Sequence, residues 1–367
     1  MSRFNPRTHE YALHANNSPN PHGISFDYWG YHYATDGTGG RAYQVRPDGK
    51  GGFKMQSLLK KTVRPVPACG VISSAHFPEK NNGNFLICNS IGFLGLKQYS
   101  LADDGNGNRQ GTAVEDLLVS PKDRNFRPTD IEIGDDGALY VSDWQNVIVG
   151  HMQHNARDVN RDHAHGRVFR ITYPSRPLVK PAKVFGASIP QLLDNLKLPE
   201  YRTRYRTRRE LRGRDPEHVL SAIPAWIDSL DANNPRYEHH LLEALWVTWG
   251  LDRVDVPLLH RLLAAKDYRA RAAAVRVLRY NGHRVHGQAQ LLAAAAKDPH
   301  GRVRLEANVA ATWLKPSEGR PVFEGALPND KDRLNDVYGA IQRHFDGAPI
   351  QNLVKREIKT HLTGQAR

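Results

Sequence analysis

One short pattern recurs three times in the first half of this chain, and it limits the folds available more than any bulk property. Trp29-Gly30-Tyr31-His32-Tyr33-Ala34-Thr35-Asp36 aligns with Asn82-Gly83-Asn84-Phe85-Leu86-Ile87-Cys88-Asn89, and both align with Asp136-Gly137-Ala138-Leu139-Tyr140-Val141-Ser142-Asp143. The copies lie 53 and then 54 residues apart. Glycine holds the second column, a small residue the seventh, and Asp, Asn and Asp the eighth. Upstream, Pro21 matches Pro128 and Ile24 matches Ile131 at an offset of 107. Each copy reads as a turn with positive φ at glycine, followed by a short β-prone run. A period near 50 residues suits the four-stranded blade of a β-propeller. Tyr11-Ala12-Leu13 and Gly166 to Ile171 read as further strands on either side.

The second half has a different period. The Pro-punctuated stretch from Pro174 to Pro199 ends the β pattern, and from Tyr201 the apolar spacing is helical. Lys266-Asp267 and Lys297-Asp298 read as openers of successive helices, with Asp placed to cap free backbone N–H groups. Asp298-Pro299 followed by Val303-Arg304 and Ala307 has the look of a HEAT-like repeat. The expected fold is therefore multidomain, β then α. A partial six-bladed propeller of about three blades spans 1–175. A linker follows at 176–200, a HEAT-like α-solenoid at 201–320, and a tail at 321–367 with one possible helix over 332–345. Three blades do not close a ring; the expectation is that the remaining blades are lost by truncation or come from a partner.

Composition narrows the classes of function. The balance of 51 Lys+Arg against 38 Asp+Glu gives a net charge of +13. No apolar run is long enough for a transmembrane helix, and the first residues lack the apolar core of a signal peptide. Cys69 and Cys88 are the only cysteines, which leaves no disulfide framework and no C-x-x-C-H haem attachment site.

Three sets of residues could carry chemistry. His151, His154, Asp158, Asp162, His163 and His165 crowd one loop. Imidazoles bind metals and carry protons near neutral pH, so a metal or proton-transfer site is one reading. A polar loop whose own groups pair with one another is the other, and it is favoured by the lack of any standard zinc spacing. Asp36, Asn89 and Asp143 hold the same column in successive copies. Their oxygens could form an arc for a hard cation such as Ca²⁺, or each could close the turn after its strand. His22, His76 and Asp130 share that side. Finally, seven arginines fall between Arg202 and Arg214. With little aromatic interleaving, they fit a charged face packed on acidic surface better than a nucleic-acid site.

Several of these segments carry a specific resemblance. Phe126 to Gly134, Asp143-Trp144, Gly150-His151-Met152-Gln153-His154 and Asp162-His163-Ala164-His165-Gly166-Arg167 look like the membrane-bound dehydrogenase-like propeller family abundant in planctomycetes and their relatives. Its members commonly join a propeller to HEAT repeats and often to a cytochrome c-type domain. That propeller is similar to the soluble quinoprotein glucose and sorbosone dehydrogenases, which use pyrroloquinoline quinone (PQQ) and Ca²⁺. The resemblance implies oxidation of a sugar or polyol and electron transfer to a cytochrome c domain or protein. It also implies a periplasmic or cell-envelope location. It makes His151, His154, Asp162, His163 and His165 the catalytic candidates, and Asp36, Asn89 and Asp143 the metal candidates. Asn20, His22, Arg127, Asp130 and Arg167 become the cofactor candidates, because Asn20-Pro21-His22-Gly23 looks like a quinone-contacting motif. The Arg of that motif is replaced here by Pro19, and the general-base His of the family belongs to an earlier blade. An incomplete cofactor site, inactive in this chain alone, is the expectation. A non-catalytic binding scaffold is the rival, and a basic nucleic-acid binder ranks last.

Overall fold

The structure is a computed structural model. It describes all residues except 5–8, 16–19, 49–52, 61–63, 106, 146–157, 328–334, 348–355 and 358–367. Among the described residues, a β region of antiparallel sheets, none of them closed, is followed by a region of ten α-helices.

The repeat is visible in the backbone. The first sheet is β3 (Pro21–Phe26), β4 (His32–Asp36), β5 (Arg41–Pro47) and β6 (Phe53–Ser57), in that order. The second runs β7 (Cys69–Val71), β8 (Phe85–Asn89), β9 (Gly95–Asp103) and β10 (Arg109–Ala113), with β11 (Leu118–Val119) also paired to β9. The third is β12 (Pro128–Ile133), β13 (Leu139–Asp143) and β14 (Arg167–Ile171). Gly30, Gly83 and Gly137 all have positive φ, at 74°, 84° and 80°, so column two needs glycine at each turn. Sheets one and three share their register. Pro21 faces Asp36 and Ile24 faces Ala34; Pro128 faces Asp143 and Ile131 faces Val141, with a register shift at the same place in both. The first strands pack in series, β3 on β7 and β7 on β12.

A smaller sheet precedes these. β1 (Ser2–Phe4) pairs β2 (Glu10–Leu13), and β15 (Arg356–Glu357) pairs the far edge of β2.

The helices are α1 (Ile189–Asn195), α2 (Tyr201–Arg212), α3 (Pro216–Asp228), α4 (Tyr237–Gly250), α5 (Val256–Leu263), α6 (Tyr268–Asn281), α7 (Gln288–Ala295), α8 (Gly301–Ala311), α9 (Pro316–Glu324) and α10 (Asn335–Phe345). One apolar core runs through all of them, from Ala187 to Phe345. Two sequence expectations change here. The stretch read as linker holds α1, whose Leu192 and Leu193 are core, and the tail helix contributes Val337, Tyr338, Ile341 and Phe345. The Lys-Asp pairs do not open successive helices, because α7 lies between α6 and α8. Asp267 does cap α6. Asp298 instead pairs with Arg271 at 2.6 Å, and His300 takes over the cap of α8.

The helices grip the β region at several points, among them the turn at Asp27–Tyr31. Asp27 organises that turn by accepting the N–H groups of Trp29 and Tyr31 at 2.9 and 3.0 Å and the hydroxyl of Tyr33 at 2.8 Å. The carbonyls left outward are then taken by helical side chains. His239 Nε2 donates to the Tyr28 carbonyl at 2.7 Å, and Arg276 Nη1 to that of Gly30 at 3.2 Å.

Candidate functional site

Three of the residues singled out by sequence lie where the second strand of their sheet stops. Asp36, Asn89 and Asp143 are the last residues of β4, β8 and β13 and are buried. Asp36 accepts the N–H of Asn20 at 3.4 Å and of Gly39 at 2.5 Å. Asp143 accepts the N–H of Arg127 at 2.6 Å and of Gln145 at 2.9 Å. Asn20 and Arg127 are themselves counterparts, 107 residues apart. Asn89 accepts from Phe93 N–H at 2.6 Å and, being an amide, donates to the Pro65 carbonyl at 3.1 Å. One column thus closes the same corner three times.

The third corner carries an ion network. Arg167 places both Nε and Nη2 at 2.6 Å from Asp143 Oδ2, and its Nη1 lies 2.7 Å from Asp123. The carboxyl of Asp123 sits below the usual range, held by the Asn125 N–H and by Arg167 against the opposing effect of burial. Arg127 is buried, with Nη1 on the Phe126 carbonyl at 3.3 Å. In the first corner the Asn20 amide donates to Thr38 Oγ1, and the exposed His22 lies over Gly37. Asp130 is exposed and accepts its neighbour Ile131 N–H at 2.9 Å.

These donors do not form a Ca²⁺ cage. A hard cation takes six to eight oxygens turned toward one point. Here the oxygens face backbone N–H groups, and Asp143 is neutralised by Arg167. No group of three or more His, Cys, Asp or Glu stands ready for a metal among the described residues. The quinone contact expected of Asn20 is likewise directed to Thr38. Asp143→Ala should therefore destabilise by roughly 2–3 kcal/mol, because two backbone N–H groups lose their acceptor and Arg167 keeps only Asp123 of its two carboxylate partners, and Ca²⁺ should leave the melting temperature of the wild-type chain unchanged. A Ca²⁺-induced rise that Asp143→Ala abolishes would make it a cation ligand instead.

The histidine loop divides. His151 and His154 lie outside the described residues. Asp162 accepts the N–H groups of Ala164 and His165 at 2.9 and 3.0 Å, and its carboxylate meets His165 Nδ1 at 3.0 Å. His163 Nε2 donates to the Asp158 carbonyl at 3.1 Å. The segment turns rather than extends, and His163 and His165 bond to different partners. His76 does not share the side of His22: it follows β7, and the register makes Cys69 the counterpart of Ile24. The second copy has a longer connection between its first two strands, which a fixed offset misses. Buried His76 receives the Tyr173 N–H on Nε2 and donates from Nδ1 to the Pro177 carbonyl, both at 2.8 Å, pinning the segment that leads to the helices.

The arginine run is a packing face. Arg202 meets Glu132 at 2.5 Å and Arg206 meets Asp135 at 3.8 Å, both on the third sheet. Arg204 and Arg208 reach buried Glu243 at 3.0 and 2.6 Å. A cavity of about 150 Å³ lies beside this cluster, lined by Asp27, Tyr28, Arg208 and Trp246 among others.

Sequence reasoning missed two buried polar groups. Glu306 on α8 is enclosed by Arg302 at 2.7 Å, Arg276 at 3.0 Å and Arg279 at 3.5 Å. The second is His14 and His32, whose Nε2 atoms are 2.7 Å apart. Burial, then Arg3 and Arg279, bring His14 down to about 4; burial, then His14, hold His32 well below the usual range. Both imidazoles are neutral in the fold, whereas the unfolded chain takes up their protons below pH about 6.5. Their contribution is thus complete above pH 6.5 and falls as pH drops toward 4. Between pH 6.5 and 5 each fully depressed histidine should lose about 2 kcal/mol. Melting temperatures measured across that range should fall, and the slope should flatten in His32→Phe.

Among the described residues, no helix is long and apolar enough to cross a membrane. Residues 54–175, from within β6 to just past β14, match a family described as a domain of unknown function (DUF7133). No curated protein matches the chain.

Proposed function

We propose that this chain is a propeller-and-HEAT scaffold, related to the quinoprotein-like dehydrogenase family, that binds a partner and does not itself oxidise a substrate. The observation that carries this reading is the use of Asp36, Asn89 and Asp143. The column best placed for chemistry closes sheet corners in all three copies. Treating the three sheets as blades is supported by their shared register and by the serial packing of β3, β7 and β12. Treating the helices as HEAT-like is supported by the Arg-to-acid pairs that join α6 to α8 and to the connection just before it.

The second reading is a sugar or polyol dehydrogenase of the cell envelope. It is favoured by the Asp162–His165 pair and the Arg167–Asp143 network, both inside the segments that carry the resemblance. One experiment separates the two. The purified chain is incubated with PQQ and Ca²⁺ and assayed with a panel of aldoses and polyols by dye reduction. The scaffold reading expects no reduction above the protein-free rate. Reduction that needs both PQQ and Ca²⁺ would establish the dehydrogenase. A nucleic-acid role is disfavoured because Arg202, Arg204, Arg206 and Arg208 already face acidic residues.

A further inference from the structure

Most of the arginines between Arg202 and Arg214 are already paired. Arg202 meets Glu132, Arg204 and Arg208 share Glu243, and Arg214 meets Glu210 at 2.6 Å. Arg206 reaches Asp135 only at 3.8 Å. Arg209 stands apart. It is exposed and is ion-paired to no carboxylate among the described residues; its guanidinium lies over the Tyr205 ring at 5.8 Å. Arg206 and Arg209 both open onto a cavity of about 440 Å³, bounded by α2, the β12–β13 turn and residues 182–185.

Phe185 lines the same cavity and is 89% exposed. That exposure is built into the backbone. Phe185 and Gly186 are the central residues of a turn closed by the Ala187 N–H on the Val184 carbonyl at 3.1 Å. Gly186 has a φ of 65°, as the third residue of a type II turn requires. The turn is anchored on both sides. Asn195 Nδ2 donates to the Lys183 carbonyl at 2.8 Å, and Arg214 Nη2 to the Ala187 carbonyl at 3.0 Å. Val184 and Ala187 pack on the helical core, so the ring between them is turned out. Immediately after, Ser188 and Gln191 form a capping box that starts α1. An aromatic ring held out on a fixed turn gives up little conformational freedom when a partner covers it. Phenylalanine and arginine are both enriched where protein interfaces form.

We infer that this cavity seats an acidic segment of a partner protein, with a carboxylate on Arg209 and an apolar side chain against Phe185. The charge of the walls decides the kind of partner. Both carboxylates of the lining already face a cation, Asp135 through Arg206 and Glu210 through Arg214, so Arg209 is the charge left to be matched. A guanidinium receives a carboxylate through two parallel N–H donors. The net charge of +13 draws an acidic segment toward the chain and opposes docking of a second copy. Such a segment gives the proposed scaffold a partner of defined chemistry, and the assignment rests on that reading.

The test measures binding of fluorescein-labelled peptides to the full chain by fluorescence anisotropy. The probes are a panel of synthetic heptapeptides in which Asp or Glu is spaced with Leu or Phe, and each has a counterpart with Asn or Gln in place of the acids. The expected result is saturable binding of the acidic probes. It should be at least tenfold weaker for the amide counterparts and for Arg209→Ala and Phe185→Ala, and unchanged for Arg253→Ala, an exposed arginine between α4 and α5. Phe185 and Arg209 are exposed, so both variants should melt with the wild type and the loss of binding reports the site itself. No saturable binding at millimolar peptide overturns the inference, as does binding that survives both variants or falls equally in Arg253→Ala. An oligonucleotide held more tightly through Arg209 would make nucleic acid the occupant and overturn it. A concentration-dependent dimer that Phe185→Ala dissolves would make the occupant a second copy and overturn it too. PQQ-dependent dye reduction by a chain that binds the peptides would defeat the scaffold proposal while leaving the docking site in place.

Discussion

Glu306→Gln is expected to lower the melting temperature of the chain by roughly 10 °C. Glu306 is fully buried on α8 and faces three guanidiniums, of which Arg302 and Arg279 are buried and Arg276 nearly so. Burial alone would raise its carboxyl, but Arg276, Arg302 and Arg279 override that and hold it down at about 2. Removing one partner of a buried ionic cluster costs about 3–5 kcal/mol, because the remaining charges keep their desolvation penalty without the attraction. For a unit of this size each kcal/mol moves the midpoint by about 2–4 °C. The loss also spreads beyond the helices. Arg276 donates to the Gly30 carbonyl and Arg302 to the Gly107 carbonyl at 3.3 Å, so Glu306 orients the two side chains that clamp separate sheets. A calorimetric scan should therefore show both regions weakened together. The sign with pH follows from the depressed carboxyl. The contribution of Glu306 is present above the unfolded carboxylate value near 4.3 and disappears as pH falls toward 2. Wild type should lose stability through that window and Glu306→Gln should lose less. A variant within 2 °C of wild type would show that water reaches the cluster and screens it.

The contrast between Asp143 and Glu306 shows what a single sequence reveals. Asp143 sits in a repeated column, after a glycine whose turn needs positive φ and at the end of a five-residue strand. Backbone geometry dictates such positions, so they recur with the repeat, and both the sheets and their corner residues can be read in advance. Glu306 belongs to no such pattern. In sequence it is an acid among arginines on a helix, indistinguishable from a solvated surface group. Its burial arises only when α6, α8 and the turn at Gly30 meet. The same holds for Arg204, which counted as one of seven arginines and proves to be among the largest fully buried side chains. Contacts between distant segments leave no local signature. The helical boundaries were missed for a related reason. α1 is short, and α10, though expected as a helix, has apolar residues that become recognisable as core only against the helices they touch.

The boundaries have a measurable consequence of comparable size. Residues 201–320 expressed alone should fail to melt cooperatively, whereas residues 184–347 should do so. The shorter piece lacks Leu192, Leu193 and Leu196 at one end and Val337, Tyr338, Ile341 and Phe345 at the other, all buried in the single helical core. Fully burying a side chain of this size is worth about 1.5–3 kcal/mol. Losing seven removes on the order of 10 kcal/mol, as much as the whole net stability of a typical domain. The β region, residues 1–175, should fare worse than either helical piece. Its turn at Tyr28–Gly30 would lose the donors that satisfy it. Circular dichroism melts and sedimentation of the three pieces decide the matter. Cooperative melting of 201–320 would mean that α1 and α10 decorate the core rather than complete it. A monodisperse, cooperatively melting 1–175 would mean that the sheets hold together without the helical clamp.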